Sequence, residues 1–462
     1  MLAVQLLRRV PNLAVAVVDK GSMPGRGLAY STQYDCHLLN VPAENMSALP
    51  EEPDHFLRWA RANHGQSVQP TSFLPRRLYG RYVNSLLTEA AGQGSAESLQ
   101  WIQGEVTSLA PERSYIKIQL KDGKTLVTKA VVLAVGNFPP ANLNIPGLSQ
   151  ESTRYVASPW SAAALDNIPT DGNVLLIGSG LTSVDVAVAL KSEGFTGRIH
   201  ILSRRGLLPR VHGTTRRWPE FWNGHSPRTA RGLLRLVRAQ VRAAKKNNSD
   251  WRGVIDSIRP VTQKIWQSLP LDERKRFLRH VRPYWEVHRH RIAPEIGAAM
   301  AQLADAGKTT VHAGRLTAYR EFKDHVEVGW RDRQTQTQRV LRVDRVINCT
   351  GPEIDCRHIN DPLIKSLLGD GLARPDRLSL GLDVDANGAL LDFSGTPSQS
   401  LYAIGPIRKG SLWESIAVPE LRDQASQLAK HLLSTLSQNS DGASHESADL
   451  DLAAVAIPEG LK

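Results

Sequence analysis

The sequence predicts an α/β chain in which one strand–helix–strand unit is set inside another, and three observations carry that prediction. A short apolar strand, Asn173–Ile177, runs into Gly178-Ser179-Gly180-Leu181-Thr182-Ser183, then a helix-compatible run to Leu190 and a second strand at Arg198–Leu202. The same helix and strand recur 184 residues earlier without a gap. Apolar stretches ending in glycine return at 130–137, 343–352 and 401–406. Such strands suit a parallel sheet whose carboxyl edge faces a ligand.

The unit around Gly178 is the clearer copy. Gly178 allows a tight turn, Gly180 lets the backbone approach a pyrophosphate, and the small Ser183 keeps the helix close to the strand. Thr182 lies in the same first helical turn, whose free N–H groups and positive dipole end favour phosphate. A lone G-x-G-x-x-S is weak, and chance occurrence in a loop is the plain alternative. The flanking strands make it a dinucleotide-binding candidate. At the end of the second strand stands Ser203-Arg204-Arg205, with no carboxylate near. An acid there would bind a free ribose 2′-hydroxyl, whereas arginine accommodates a 2′-phosphate. Arg204 and Arg205 therefore point to NADPH rather than NADH, unless they are only a solvated strand end.

Sliding this unit back by 184 residues lays Ala187–Leu190 on Ala3–Leu6 and Arg198–Arg204 on Ala14–Lys20. The first copy ends its strand in Asp19, the acid suited to a ribose without 2′-phosphate. By the same offset, the counterparts of Gly178, Gly180 and Ser183 fall upstream of Met1. The expectation is a first unit without its leading strand and glycine turn, about a dozen residues on the second copy's pattern. Such a chain should bind its first dinucleotide poorly. A start codon assigned too far downstream and a genuine truncation both account for it.

Four further motifs are more specific: Gly25-Arg26-Gly27-Leu28-Ala29-Tyr30-Ser31, His37–Ala43 (HLLNVPA), Tyr284–Arg291 (YWEVHRHR) and Trp413–Arg422 (WESIAVPELR). With the glycine turn they resemble flavoproteins with two dinucleotide-binding domains, in which an NADPH domain is inserted into a split FAD domain. Within that group the chain is similar to the FAD/NAD(P)-binding family that includes aspartate N-monooxygenase-like flavoenzymes. The resemblance covers Met1 to about Leu433. It implies two Rossmann-like domains: 1–165 as the first part of the FAD domain, 166–350 as the NAD(P) domain, and 351–435 as the second part of the FAD domain. It further implies FAD ribose binding by Asp19 and flavin-side contacts from Gly27 and the Asn40 loop. An adenine-side backbone contact at Val106, a hinge at Gly136 and a closing flavin strand at Gly405 also follow from it.

The charge belongs to one region. The 462 residues carry a net +12, yet residues 198–292 alone hold 23 Lys+Arg against 6 Asp+Glu. Residues 212–300 read as a basic helical insertion. Leu233, Leu234, Val237 and Val241 form one apolar stripe between arginines, and Ile255, Ile258, Val261 and Ile265 suggest another. Asp272-Glu273 suits a helix start. A nucleic-acid surface is the alternative, but no binding motif or base-stacking interleave of aromatics and cations supports it. Trp285, His288 and Arg291 are spaced to share a helix face. They are substrate candidates, because an arginine fork suits a carboxylate or phosphate. A basic amphipathic helix with Trp285 packed as core is the competing reading.

Three cysteines without C-x-x-C, and no histidine cluster at zinc spacing, argue against a disulfide scaffold, a metal site and a redox-disulfide reductase. No run of about 18 apolar residues exists, and no secretory signal is visible, so a cytoplasmic protein is expected. Residues 436–462, rich in Ser, Asn and Asp at their start, are expected to be a disordered tail. The resemblance implies a flavin monooxygenase acting on a small anionic or amine substrate. In such enzymes the cofactors carry the hard chemistry, so no catalytic acid, base or nucleophile is demanded and none is assigned. An NADPH-dependent flavin reductase, and a decayed or regulatory NADPH-binding protein, are the alternatives.

Overall fold

The computed structural model describes residues 1–21, 25–95, 97–149, 151–161, 163–440 and 453–457. The chain divides into two compact units. One comprises Met1–Gln33, Val41–Phe138 and the described residues from Glu353 on, and the other Tyr34–Asn40 with Pro139–Pro352.

The first unit is built on a six-stranded sheet ordered Ala389–Leu391, Pro397–Ala403, Ala130–Leu133, Ala453–Ile457, Val15–Asp19 and Leu99–Gln103. All pairs are parallel except the Ala389–Leu391 hairpin. Val15, Val17 and Val18 are almost wholly buried, as a central parallel strand covered on both faces requires. The Leu2–Leu7 helix buries all six of its residues and packs on the Arg76–Gly92 and Val418–Ser440 helices. A smaller antiparallel sheet, Val106–Pro111, Ile116–Leu120 and Thr125–Thr128, shares a core with the main sheet and the Pro362–Gly369 helix through Ile118, Leu133, Ile364 and Leu401.

The expected disordered tail at 436–462 needs correction in two places. Residues 436–440 continue the Val418–Ser440 helix, and Ala453–Ile457 is a strand parallel to both Val15–Asp19 and Ala130–Leu133. Its place between those two strands matches that of Asn173–Ile177 between Arg198–Ser203 and Arg345–Asn348 in the other sheet. The physical reason is the ladder: a short apolar run with strands on both sides satisfies its backbone groups in two directions. Residues 441–452 and 458–462 lie outside the described residues.

The second unit carries a seven-stranded sheet ordered Gln338–Val343, Val326–Asp332, Thr309–Glu321, Arg198–Ser203, Asn173–Ile177, Arg345–Asn348 and Tyr155–Val156. From Thr309 to Tyr155–Val156 the pairing is parallel. The outer half of Thr309–Glu321 turns antiparallel against Val326–Asp332. Val174, Leu175 and Leu176 are fully buried, and the Leu181–Ser192 helix buries every residue from Ser183 to Leu190. The 212–300 region is helical: Ala230–Lys246, Trp251–Ile258, Thr262–Ser268, Leu271–His280, Arg282–Arg289 and Pro294–Asp305. Thr229 and Asp250 cap the first two of these through Gly232 and Arg252 backbone N–H groups. Ile255, Ile258 and Val261 form a buried cluster with Val237, Ile265 and Trp285 around it. On Ala230–Lys246, Arg231, Arg235, Arg238 and Arg242 face solvent while Leu233, Leu234, Val237 and Val241 are half-buried.

Two histidines on neighbouring strands of this sheet meet, His200 Nδ1 lying 3.1 Å from His312 Nε2, with the Trp330 ring 5.1 Å from His312. Burial, then the facing His312 and Arg198, pushes His200 down to about 4. Burial and Arg339 lower His312 despite the opposing pull of Asp332. Unfolding releases both toward the ordinary value of 6.5, so the unfolded chain binds protons first. The stability from keeping this pair neutral is intact above about pH 6.5 and drains away as pH falls toward about 4. The urea midpoint should therefore drop between about pH 7.5 and 5, and His200→Gln should shrink that drop. An identical drop in the variant would contradict this account.

Candidate nucleotide-binding site

The second unit's sheet reverses its strand order at Asn173–Ile177, which has Arg198–Ser203 on one side and Arg345–Asn348 on the other. Open parallel sheets bind ligands outside the carboxyl ends of the strands at such a reversal. Gly178 leaves the strand there with φ +114, and its N–H donates to the Leu202 carbonyl at 2.8 Å. A β-carbon on it would stand 2.3 Å from the Cys349 carbonyl oxygen. Only glycine fits that approach. Gly180 is different: its backbone is extended at φ −86, and a β-carbon there would meet nothing within 4 Å. No side chain caps the N-terminus of the Leu181–Ser192 helix, so its first N–H groups face that open space. Ser183 is fully buried and donates to the Gly180 carbonyl at 2.8 Å, which fixes the turn against the helix.

Two serines tie this turn to the second strand. Ser179 Oγ lies 2.7 Å from both Ser203 Oγ and the Leu207 carbonyl. The Ser179 hydroxyl is the donor in both, its one proton shared between the two acceptors. The Gly206 N–H in turn donates to Ser203 Oγ at 2.9 Å. Arg204 is exposed beyond this knot, and Arg205 is half-buried. Among the described residues, no acid pairs with either. Asn348, fully buried, donates to the Ala141 carbonyl at 3.0 Å and accepts from the Thr350 hydroxyl at 2.7 Å. A dinucleotide's pyrophosphate fits the residues present: an open cradle at Gly180, unclaimed helix N–H groups and a basic strand end.

The motif segments in this unit have partners that no local pattern announces. His37 is buried, donates from Nε2 to the Asp185 carbonyl at 3.1 Å, and packs edge-on to Trp160. His212 Nε2 bonds the Asn40 carbonyl at 3.0 Å. Burial, then the nearby Arg291, Arg289 and Arg252, pushes His212 down to about 4, so it is neutral and Nε2 carries the proton. The three substrate candidates do not share a helix face, which corrects that expectation. The helix is Arg282–Arg289, and His290 leaves helical geometry at φ −93, ψ 81, so Arg291 lies beyond it. Arg291 is 4% exposed and ion-paired with Asp256. Trp285 packs beside Phe277, and His288 sits edge-on to Trp251 with Nδ1 2.7 Å from the Tyr284 carbonyl.

In the first unit, Asp19 closes its strand, 3% exposed, and its carboxylate accepts from the Gly21 N–H at 2.9 Å. Its carbonyl takes the Gly104 N–H at 2.9 Å, two residues before Val106, which begins the next strand 7% exposed. Lys20 pairs with Glu105 at 2.8 Å. Gly136 follows the Ala130–Leu133 strand into a shallow cleft lined also by Phe138, Cys356, Gly381 and Ile407. The Gly405 N–H donates to Gln424 at 3.0 Å. Gly27 opens the short Gly27–Tyr30 helix.

Residues 1–138 match the model of the FAD-NAD(P)-binding family. No curated protein sequence matches the chain. Among solved structures, the ornithine hydroxylase of Pseudomonas aeruginosa is similar at 17% identity and a TM-score of 0.61, covering 94% of this chain and 96% of that one. The cadaverine monooxygenase of desferrioxamine biosynthesis from Erwinia amylovora, bound to FAD, gives 13%, 0.63, 94% and 92%. The Kutzneria sp. 744 ornithine N-hydroxylase with reduced FAD, NADP+ and L-ornithine gives 13%, 0.57, 93% and 100%. The fold is that of flavoproteins with two dinucleotide-binding domains. Those ornithine and cadaverine monooxygenases share this fold. No helix among the described residues is long and apolar enough to cross a membrane.

The two glycines should separate folding from binding. Gly178→Ala is expected to cost roughly 1–3 kcal/mol in unfolding free energy, from strain at positive φ and the carbonyl contact. Gly180→Ala should leave the melting temperature within about 1 °C. It should nevertheless weaken NADP+ about tenfold or more in a binding titration. Full NADP+ affinity in Gly180→Ala would show that the pyrophosphate lies elsewhere.

Proposed function

We propose that the chain is an FAD- and NADPH-dependent oxidoreductase of the flavin-monooxygenase type, acting on a small amine or anionic substrate in the cytoplasm. The observation that carries the reading is the second unit's site: an uncapped helix N-terminus, an open glycine cradle and an acid-free, doubly basic strand end. Together they suit a pyrophosphate and a 2′-phosphate. The structural relatives' named substrates, ornithine and cadaverine, are amines.

In this reading Gly178, Gly180, Thr182 and Ser183 hold the NADPH pyrophosphate, and Arg204 and Arg205 its 2′-phosphate. Asp19 takes the FAD ribose. Gly27, the Asn40 loop, Val106, Gly136 and Gly405 line the rest of the flavin site. FAD and NADPH, when bound, supply the redox chemistry. The chain's own work is to bind, orient and exclude water. Among the substrate candidates, His288 is half-buried, while Arg291 acts from behind its Asp256 pair. Domain bounds of 1–165, 166–350 and 351–435 follow the same reading.

A thiol-based reductase is a poorer fit. Burial pushes the Cys349 thiol far up and Cys356 up to about 12, and Cys36 is raised as well. Thiols held protonated are poor nucleophiles. The deciding measurement is oxygen uptake by FAD-supplemented protein with NADPH, with and without ornithine, lysine or cadaverine. Uptake that rises with one amine and yields its hydroxylamine is expected. NADPH oxidation indifferent to amine and oxygen would make the chain a reductase, and binding without oxidation a regulator.

A further inference from the structure

The basic strand end is held by a residue from a distant part of the chain. Arg205 Nη1 donates to the Tyr284 hydroxyl at 3.1 Å, and its guanidinium carbon lies 5.2 Å from the centre of the Tyr284 ring. Tyr284 is 46% exposed, so its ring does little for the core. Its place is nevertheless fixed. The Tyr284 N–H donates to the Val281 carbonyl at 3.0 Å at the start of the Arg282–Arg289 helix. The chain just after Arg205 is stitched to that helix by Arg210 N–H on the Val287 carbonyl at 2.9 Å. The return bond runs from the Ile292 N–H to the Arg210 carbonyl at 3.0 Å.

We infer that Tyr284 is a positioning residue for the 2′-phosphate of the nucleotide: it holds Arg205 in place and so sets the preference for NADPH over NADH. This inference rests on the NADPH reading above. The chemistry favours a phenol in this role. An arginine side chain loses rotamer entropy when a ligand fixes it, and a partner that fixes it beforehand removes part of that cost. A carboxylate would fix it equally well but would cancel its charge and repel a phosphate. Tyrosine offers a neutral acceptor and a ring face that attracts the cation. Arg205 therefore keeps its full charge and its remaining N–H donors for an anion. Arg204, exposed and without an ion pair among the described residues, stands beside it as the second cation.

The test uses the full chain and two probes that require no flavin: adenosine 2′,5′-bisphosphate and adenosine 5′-phosphate, measured by calorimetry. Tyr284→Ala should weaken the bisphosphate about 5-fold, and Tyr284→Phe, which keeps the ring and loses the hydroxyl, about 2-fold. Neither should move the monophosphate. Arg205→Ala should cost the bisphosphate about 10-fold or more, and adding Tyr284→Ala to it should cost nothing further. A fully additive double variant, or equal losses for both probes, would mean that Tyr284 acts on the fold alone and would overturn the inference. Loss with Arg205→Ala but none with Tyr284→Ala overturns the positioning role and leaves the NADPH reading standing. No loss with either overturns both.

Discussion

Backbone meets backbone where the Gly178 turn passes the Arg345–Asn348 strand, and the nucleotide site depends on that contact. With only a hydrogen on Gly178, the turn comes close enough for three strand ends to lock together. The Gly178 N–H reaches Leu202, the Cys349 N–H reaches the Ile177 carbonyl at 2.8 Å, and the Cys349 carbonyl fills the space a side chain would need. The turn cannot swing outward without breaking both ladders. The first turn of the Leu181–Ser192 helix therefore starts at one fixed place, with its first N–H groups left without a side-chain cap. A helix N-terminus binds anions in any protein. Pinned at a sheet reversal beside an open Gly180, it becomes a specific site.

On the proposed reading, electrostatics then decides which dinucleotide the site takes. A net +12 spread evenly would mean little, but 23 of 57 cations fall within residues 198–292, and two of them end the second strand. Elsewhere in the unit, the buried Arg291 is matched by Asp256 and the half-buried Arg252 by Asp250. Unpaired, they would be costly. At the strand end the pattern breaks. Arg205 is steadied by a phenol instead, so the charge there is left for a ligand.

Much of this was legible because it is local. The glycine turn, its flanking strands and the doubly basic end lie within about thirty residues, and each follows from backbone sterics or charge at a known position. The helical insertion was legible too, since its stripes follow the 3.6-residue period at Leu233, Val237 and Val241. Three features were not. The Ser179–Ser203 knot needs the two strand ends side by side before either hydroxyl has a partner. Arg291 looked helical by spacing, but the chain leaves the helix at His290, and spacing cannot register one residue's change of ψ. Ala453–Ile457 is written as an ordinary small apolar run. Its ladders to Val15–Asp19 and Ala130–Leu133 join residues more than 300 positions apart, a pairing that parallel strands never signal locally.

The absence of a nucleophile or general base from this account follows from the same physics. A chain that performs acid–base work needs side chains whose pKa values are tuned toward neutrality. Here the large shifts of the histidines and thiols run the other way: His200 and His212 are held neutral, and Cys349 and Cys356 are held protonated. Burial has silenced these groups. What stays charged at the proposed site is the apparatus for gripping anions, the exposed Arg204 and half-buried Arg205 at the strand end, with the open helix terminus before them. A protein built this way leaves its chemistry to what it binds.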